Sequence, residues 1–318
     1  MATFQTYQSI GNREDLTDVI YNISPTDTPF MSSVGKTKAT AVYHEWQTDA
    51  LAAAVANNAA VEGADATSLT VTPTARVGNR TQISTKTVQI AGTQDSAVSK
   101  AGRKSEKAYQ LAKASSELKR DMEKTLLSNN AAAAGDSSTA RTLGGLQAWL
   151  GTNAVLGSGG TAGSGGTTAR VSGTDAAFTE AMLKSAVKQA FVQGGNPSVL
   201  MVTPTQKQVV SGFAGIAEQR YQAPSNAPTT IVGAADVYLS DFGTLSVVPN
   251  RFMTADSGDG GEVAFVLDPE YAAVAYLRPF QTNELAKTGD SEKTQLLVEY
   301  TLEVKNEKAH AIIADLAE

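Results

Sequence analysis

With two histidines and no cysteine in 318 residues, the chain has few routes to catalysis. The missing cysteines exclude disulfides, thiolate nucleophiles and cysteine metal sites. His44 sits on a strand-like run beside Trp46, and His310 lies near the carboxyl end. Neither has a second ligand at metal spacing, no Gly-x-Ser-x-Gly elbow occurs, and both histidines read as structural. Glu117 and Asp121 stand one helical turn apart on a polar face, as ordinary solvated carboxylates do. Gly35-Lys36-Thr37 resembles the end of a phosphate loop, but Phe30 occupies its required upstream glycine position. The run Gly157–Gly166 has no Lys-Ser or Lys-Thr after it, so it reads as a flexible surface loop and not a phosphate cradle. In the acidic turn Asp256–Gly261, Gly258 and Gly260 stand where a calcium loop needs oxygen ligands. These residues imply no enzyme and no cofactor.

Composition points the same way. Charged residues make up 18% of the chain, against about 25% in ordinary globular domains. The net charge of −6 argues against a protein that condenses nucleic acid by neutralising phosphates, leaving only weak, non-specific contact with DNA. No stretch approaches the roughly 18 apolar residues that span a bilayer. The opening Met-Ala-Thr-Phe-Gln-Thr lacks the regions of a secretion signal. The expectation is a soluble protein made in a cytosol, with no membrane partner.

The elements that carry these residues are laid out unusually. Residues 1–38 show no apolar period and hold turn-makers at Ser24-Pro25, Thr28-Pro29 and Gly35, so they read as an arm. Strand-like runs at 40–47 and 80–91 flank a tip of small and apolar residues from Ala50 to Thr72, and together they read as a two-stranded flap. A helical pattern from about Asp95 to Ser128 follows, about 45 Å long at helical rise. Its apolar arc holds Ala108, Leu111, Ala112, Ser115, Leu118, Met122 and Leu126. Lys119 sits within that arc, with its head turned out toward Glu123 or toward a second subunit. An arm and a flap that bury little of their own surface suit contact with a neighbouring copy. The candidate contacts are Pro29, Phe30, Trp46, Leu51, Val55, Val61, Leu69 and Lys119.

Residues 175–277 read as a compact α/β region. A helix is expected over 175–193 and a buried run at Val199–Val202. Thr203-Pro204-Thr205-Gln206 has the form of a helix start with a capping box. Strands are expected at 229–239, 244–249, 262–267 and 272–277. Near the carboxyl end, Leu296, Val298, Tyr300, Leu302 and Val304 alternate with Leu297, Glu299, Thr301, Glu303 and Lys305, predicting a strand with one core face and one mostly wet face. Residues 309–316 are expected to pair with that strand, and 282–293 to form an exposed hairpin or loop.

This order, with Ile23–Phe30 (Ile-Ser-Pro-Thr-Asp-Thr-Pro-Phe) opening it, resembles the major capsid proteins of tailed bacteriophages, whose fold is named after phage Hong Kong 97. The resemblance implies an α+β capsid fold with an N-arm (1–38), an extended β-hairpin E-loop (39–92), a P-domain with a spine helix (93–174, with return strands 278–318) and an α/β A-domain (175–277). It implies self-assembly into the hexamers and pentamers of an icosahedral head that encloses double-stranded DNA. Within a capsomer of this family, A-domains meet around the local axis and the flap lies over an adjacent subunit. The implied partners are copies of the chain, a separate scaffolding protein, a portal and a decoration protein. The implied place is the virion, with assembly in the host bacterial cytoplasm. Residues 48–75 contain no lysine, so the isopeptide crosslink of the founding member is not carried over. A non-viral nanocompartment shell of the same fold and a β-rich virion or adhesin component are the alternatives.

Overall fold

The computed structural model describes residues 26–63, 65–66, 68, 70–96, 105–213, 236–253 and 261–317. Ser24-Pro25, Leu69, residues 229–235 of an expected strand and most of the acidic turn at 256–261 lie outside the described residues. In chain order the elements are α1 (Pro29–Ser33), β1 (Gly35–Lys38), β2 (Tyr43–Thr48), β3 (Ala75–Arg80), β4 (Gln82–Ala91), α2 (Gly92–Ser96) and α3 (Glu106–Leu127). They continue as α4 (Leu146–Trp149), β5 (Ala154–Val155), α5 (Glu180–Val192), β6 (Val199–Val202) and α6 (Pro204–Ser211). The chain closes with β7 (Val237–Ser240), β8 (Gly243–Pro249), β9 (Glu262–Leu267), β10 (Ala272–Glu284), β11 (Ser291–Val304) and β12 (Ala311–Leu316). The class is α+β.

The strands form a four-stranded sheet in the order β1-β10-β11-β4, a six-stranded sheet in the order β5-β12-β9-β6-β8-β7, and a ribbon of β2 with β3. The flap is therefore built differently from the sequence expectation. Tyr43–Thr48 pairs with Ala75–Arg80, while Gln82–Ala91 leaves the flap and runs antiparallel to β11. Thr81 marks the break, its N–H donating to Val42 O at 2.9 Å. A strand that alternates as Ile83, Thr85 and Thr87 against Ser84, Lys86 and Val88 pairs equally well with either neighbour, so periodicity alone does not choose.

Helix α3 starts at Ser105, whose hydroxyl accepts from Ala108 N at 3.3 Å. Its 22 residues make it about 33 Å long; residues 97–104, in the front part of the expected pattern, lie outside the described residues. Leu118, Met122 and Leu126 bury against the four-stranded sheet as expected, and Ala114 joins them. Ala108 and Ala112 are exposed. On its flank the helix is bolted to the sheet by Lys86–Asp121 at 2.8 Å and by Lys107 to Glu284 and Glu292 at 3.1 and 3.2 Å. Lys113 and Glu117 meet at 3.9 Å.

The six-stranded sheet lies between two cores. Met201, Val263, Phe265, Leu267, Ile312 and Ala314 face the spine-side core. Leu200, Val202, Ala264, Val266, Ala311 and Ile313 face α5 and α6. Burial on both faces explains why these strands are continuous apolar runs. It also explains why Ala311–Leu316 pairs with β9 and β5 and not with β11: an apolar run with no wet face belongs inside a covered sheet. Helix α5 is shorter than expected, capped by Thr179, and ends before Gly194 at φ +93°. Phe191, expected on its buried face, is half-exposed and stacks on Phe242 at 4.7 Å. Thr203 caps α6 through Gln206 N at 3.3 Å. The Gln206 side chain does not close the capping box; it donates to Glu262 Oε2 and Ala317 O at 2.9 and 2.7 Å.

The glycine-rich run departs furthest from expectation. It folds into a narrow ladder, bridging Ser158 to Thr174, Thr161 to Val171 and Ser164 to Thr168. Gly157 N donates to Asp315 Oδ2 at 3.0 Å, and Asp315 Oδ1 meets the buried Arg170 at 2.5 Å. Asp315 sits at φ +60°, in a register break of β12. Gly166, at φ +70°, packs so tightly on Trp149 that a Cβ would lie 2.5 Å from the indole. Gly157, Gly160, Gly163 and Gly166 serve close approach, and Gly159 and Gly165 supply left-handed backbone. Gly166→Ala is expected to add an overpacking cost of about 1–3 kcal/mol to the left-handed backbone cost of about 1–2 kcal/mol. Gly159→Ala, at φ +82° with open space around it, is expected to show the backbone cost alone. Urea unfolding of both variants measures the difference; equal, negligible losses would mean a loose loop.

Candidate functional site

The flap has a fixed root and a bare tip. At the root, Asn79 is fully buried and all its side-chain valences are used. Its Nδ2 donates to Gly144 O and Leu302 O at 3.0 and 2.9 Å, and its Oδ1 accepts from Gly144 N and Arg80 N at 2.8 and 2.9 Å. That one amide joins β3 to the turn before α4 and to β11. Beside it, Glu299 of β11 accepts from Thr81 Oγ1 at 2.9 Å, from Arg141 Nη2 at 2.5 Å and from Arg278 Nε at 2.7 Å. The Arg141 Nε also donates to Thr81 O. Glu303, two pleats along, accepts from Thr37 Oγ1 of β1 at 2.6 Å and lies 3.3 Å from His44 Nε2 of β2.

The outward face of β11 is thus buried, where the sequence pattern suggested a mostly wet one. Leu297 on that face was the signal available in the sequence, since an apolar residue there has to be covered. A buried carboxylate needs donors, and the arm, the flap and the turn at Arg141 supply them.

The arm is held in the same way. Glu123 of α3, fully buried, accepts from Phe30 N and Met31 N at 2.7 and 2.9 Å and from Asn250 Nδ2 at 2.8 Å. It thereby satisfies the first free N–H groups of α1 and ties the arm to the end of β8. Glu123 is consequently not the partner of Lys119, which is exposed.

Several of the candidate contacts lie elsewhere than expected. Phe30 is fully buried in the chain's own core and has no surface left for a neighbour. Trp46 is half-buried and packs on Trp149 with ring centres 5.4 Å apart, a contact within the protomer. Pro29 is partly buried at the first turn of α1. At the tip, by contrast, Leu51 is 100% exposed, Val55 71% and Val61 80%. Among the described residues, the main chain from Leu51 to Thr72 forms no helix or strand.

The two histidines are accounted for structurally. His310 is fully buried, its Nδ1 accepting from Asp268 N at 3.2 Å, and burial pushes its pKa down to about 4. It is a neutral core residue. Among the described residues, no cluster of three or more His, Asp or Glu side chains is placed to hold a metal, and no helix is long and apolar enough to cross a membrane.

A tethered arm, a ribbon pinned at its root, a long helix on a four-stranded sheet and a lobe built on a six-stranded sheet define a capsid protein of the Hong Kong 97 fold. The capsid of cyanophage A-1(L) matches with a TM-score of 0.68 over 99% of both chains at 13% identity. An encapsulin from Synechococcus elongatus shares the fold less closely, with a TM-score of 0.55 over 96% of this chain and 92% of its own at 11% identity. The chain belongs to the family of SU10 major capsid proteins, whose model matches residues 2–317. The major capsid protein of Escherichia phage Phieco32 is 29% identical over 98% of this chain and 96% of its own length. The protein is a major capsid protein of a tailed phage, a structural component of the virion that assembles into multimeric shells.

The Glu123 contact generates a pH test. Burial is the main cause that holds its pKa above the ordinary carboxylate value, against the three hydrogen bonds. A raised folded pKa means that ionisation of this group costs stability. The cost is fully present above the folded pKa and fades as pH falls toward the unfolded value. Glu123→Gln turns an amide donor toward one of three buried donors, at a cost of about 1–3 kcal/mol. The expected result is lower stability of the variant at pH 7.5 and a wider gap from the parent chain at pH 5, read by urea unfolding. A gap that narrows on acidification would contradict the assignment.

Proposed function

We propose that the chain builds the icosahedral head as hexamers and pentamers around packaged double-stranded DNA, and that the flap tip is the part that reaches a neighbouring copy. One observation carries this reading: the apolar tip is bare, although the root below it is fixed by buried hydrogen bonds. Leu51, Val55, Val61 and Val71 are 71–100% exposed, and the tip's charges among the described residues are Glu62 and Asp65. A lone folded domain gains nothing from holding such a surface out in water. In this reading residues 1–38 are the N-arm, 39–92 the E-loop, 93–174 with 278–318 the P-domain and 175–277 the A-domain. β12 crosses that division by joining the A-domain's sheet. A separate scaffolding protein, a portal and a decoration protein are the further partners, assembly takes place in the host bacterial cytoplasm, and DNA contact is weak and non-specific. No catalytic step belongs to this role.

Each Leu or Val buried at the tip contributes up to about 1.5–3 kcal/mol to assembly, repeated at every copy. Replacing residues 50–72 with a short Asn-Gly turn is therefore expected to leave thermal unfolding of the protomer nearly unchanged and to abolish closed shells in electron micrographs. Loss of the fold would make the tip core; normal shells would leave it without a partner.

A further inference from the structure

Along the solvent side of α3 runs a ridge of cations that neither the fold nor the flap uses. We propose that this ridge is where the protein meets the sugar–phosphate backbone of packaged DNA. The inference rests on the head-building role assigned above and locates the weak, non-specific DNA contact which that role includes.

Helix periodicity makes the ridge. At 100° per residue, Lys113, Arg120 and Lys124 fall within about 40° of one another, on the side of α3 opposite Leu118, Met122 and Leu126. Lys119 flanks them, one turn before Glu123, and Lys113, Lys119 and Lys124 are all exposed. Arg251, just past β8, adds a further exposed cation. It stands between Asn250, which donates to Glu123, and Phe252, whose ring centre lies 5.5 Å from the Arg120 guanidinium. From Lys113 to Lys124 the ridge is about 17 Å long, the axial rise of about five phosphates on one DNA strand.

The carboxylates beside the ridge are already taken. Glu117 lies 3.9 Å from Lys113, and Asp121 lies 2.8 Å from Lys86 of β4. Lys119, Arg120 and Arg251 have no carboxylate partner among the described residues. The Arg120 Nε–H meets no acceptor there either. In a chain of net charge −6, a local surplus of this kind attracts a polyanion at one place without coating the whole molecule. Lysine and arginine heads on a convex helix contact phosphates and read no base sequence.

Topology sets the ridge apart from the flap. Val298, Tyr300 and Leu302 of β11 face the core that α3 closes. Glu299 and Glu303 point the other way, to Thr81, Thr37 and His44 of the flap and arm. The four-stranded sheet therefore has α3 on one side and the flap root on the other. In a closed shell one of these sides is turned to the cavity, and the ridge assigns that place to α3.

The test uses filled heads and the unassembled protomer. A photo-crosslinking side chain is placed at position 119 or, as a control, at position 76 on the flap, where Arg76 is exposed. Heads filled in infected cells are purified and irradiated; protein–DNA adducts are expected from position 119 and not from position 76. In a second arm, the protomer is titrated against a short DNA duplex by fluorescence anisotropy from about 50 mM salt upward. For Lys119→Ala/Arg251→Ala the slope of log affinity against log salt is expected to fall in magnitude by about two, with thermal unfolding unchanged. Lys119→Arg is expected to keep the parental slope. Filled heads without adducts at 119, equal adducts at both positions, a parent protomer that does not bind the duplex, or an unchanged slope overturns the inference and leaves the assembly reading intact. Absence of shells from the unsubstituted chain would instead remove the assembly reading, and the inference with it.

Discussion

A two-stranded ribbon does not hold itself in place in water, and most of this structure answers that constraint. The flap is only β2 and β3, so its direction has to be imposed from its root. Buried polar groups impose it. Asn79 satisfies four partners at once, and Glu299 and Glu303 present carboxylates that donors from the flap, the arm, the Arg141 turn and Arg278 of β10 neutralise. Apolar packing tolerates small rotations, but a buried carboxylate left short of a donor costs several kcal/mol. The root therefore has one acceptable geometry.

The same device recurs wherever a separate piece of chain joins the body. Glu123 captures the arm, Asp315 with Arg170 captures the glycine ladder, and Glu262 gathers Thr203 and Gln206 at the start of α6. A subunit that must meet copies of itself at many places has reason to fix its appendages before assembly, because pre-organised surfaces lose less conformational entropy on binding. Among the described residues of the tip, Leu51, Val55, Val61 and Val71 stay exposed. Under the proposed function, the fixed root holds out the bare tip that joins subunits.

The sequence made much of this legible, and the parts it hid share a cause. The C-terminal half of the apolar stripe of α3, the Thr203 cap, the strand at β11 and the exposed tip are local patterns, and the structure keeps them. The exchange of β3 for β4 as the flap's second strand was hidden, because strands with the same alternation are equivalent until a partner is chosen. The burial of Glu299 and Glu303 was hidden as well, because charge reads as solvent-facing unless a donor is known to lie opposite. Glycine has one sequence signature for two opposite uses, and the ladder at 157–166 uses it for close packing against Trp149. Phe30, expected at an interface, has its ring buried in the chain's own core, and its main-chain N–H donates to Glu123, 93 positions away. Local chemistry was readable and long-range donor–acceptor pairing was not.

The central claim is that the root is fixed in the protomer while the tip gains its partner only in the shell. Amide hydrogen exchange, compared between unassembled protomer and purified shells, tests it most directly. The account predicts slow exchange over Tyr43–Thr48 and Ala75–Arg80 in both states. Exchange over residues 50–72 is predicted to be fast in the protomer and strongly slowed in the shell. A tip already protected in the protomer, or still unprotected in closed shells, would contradict it.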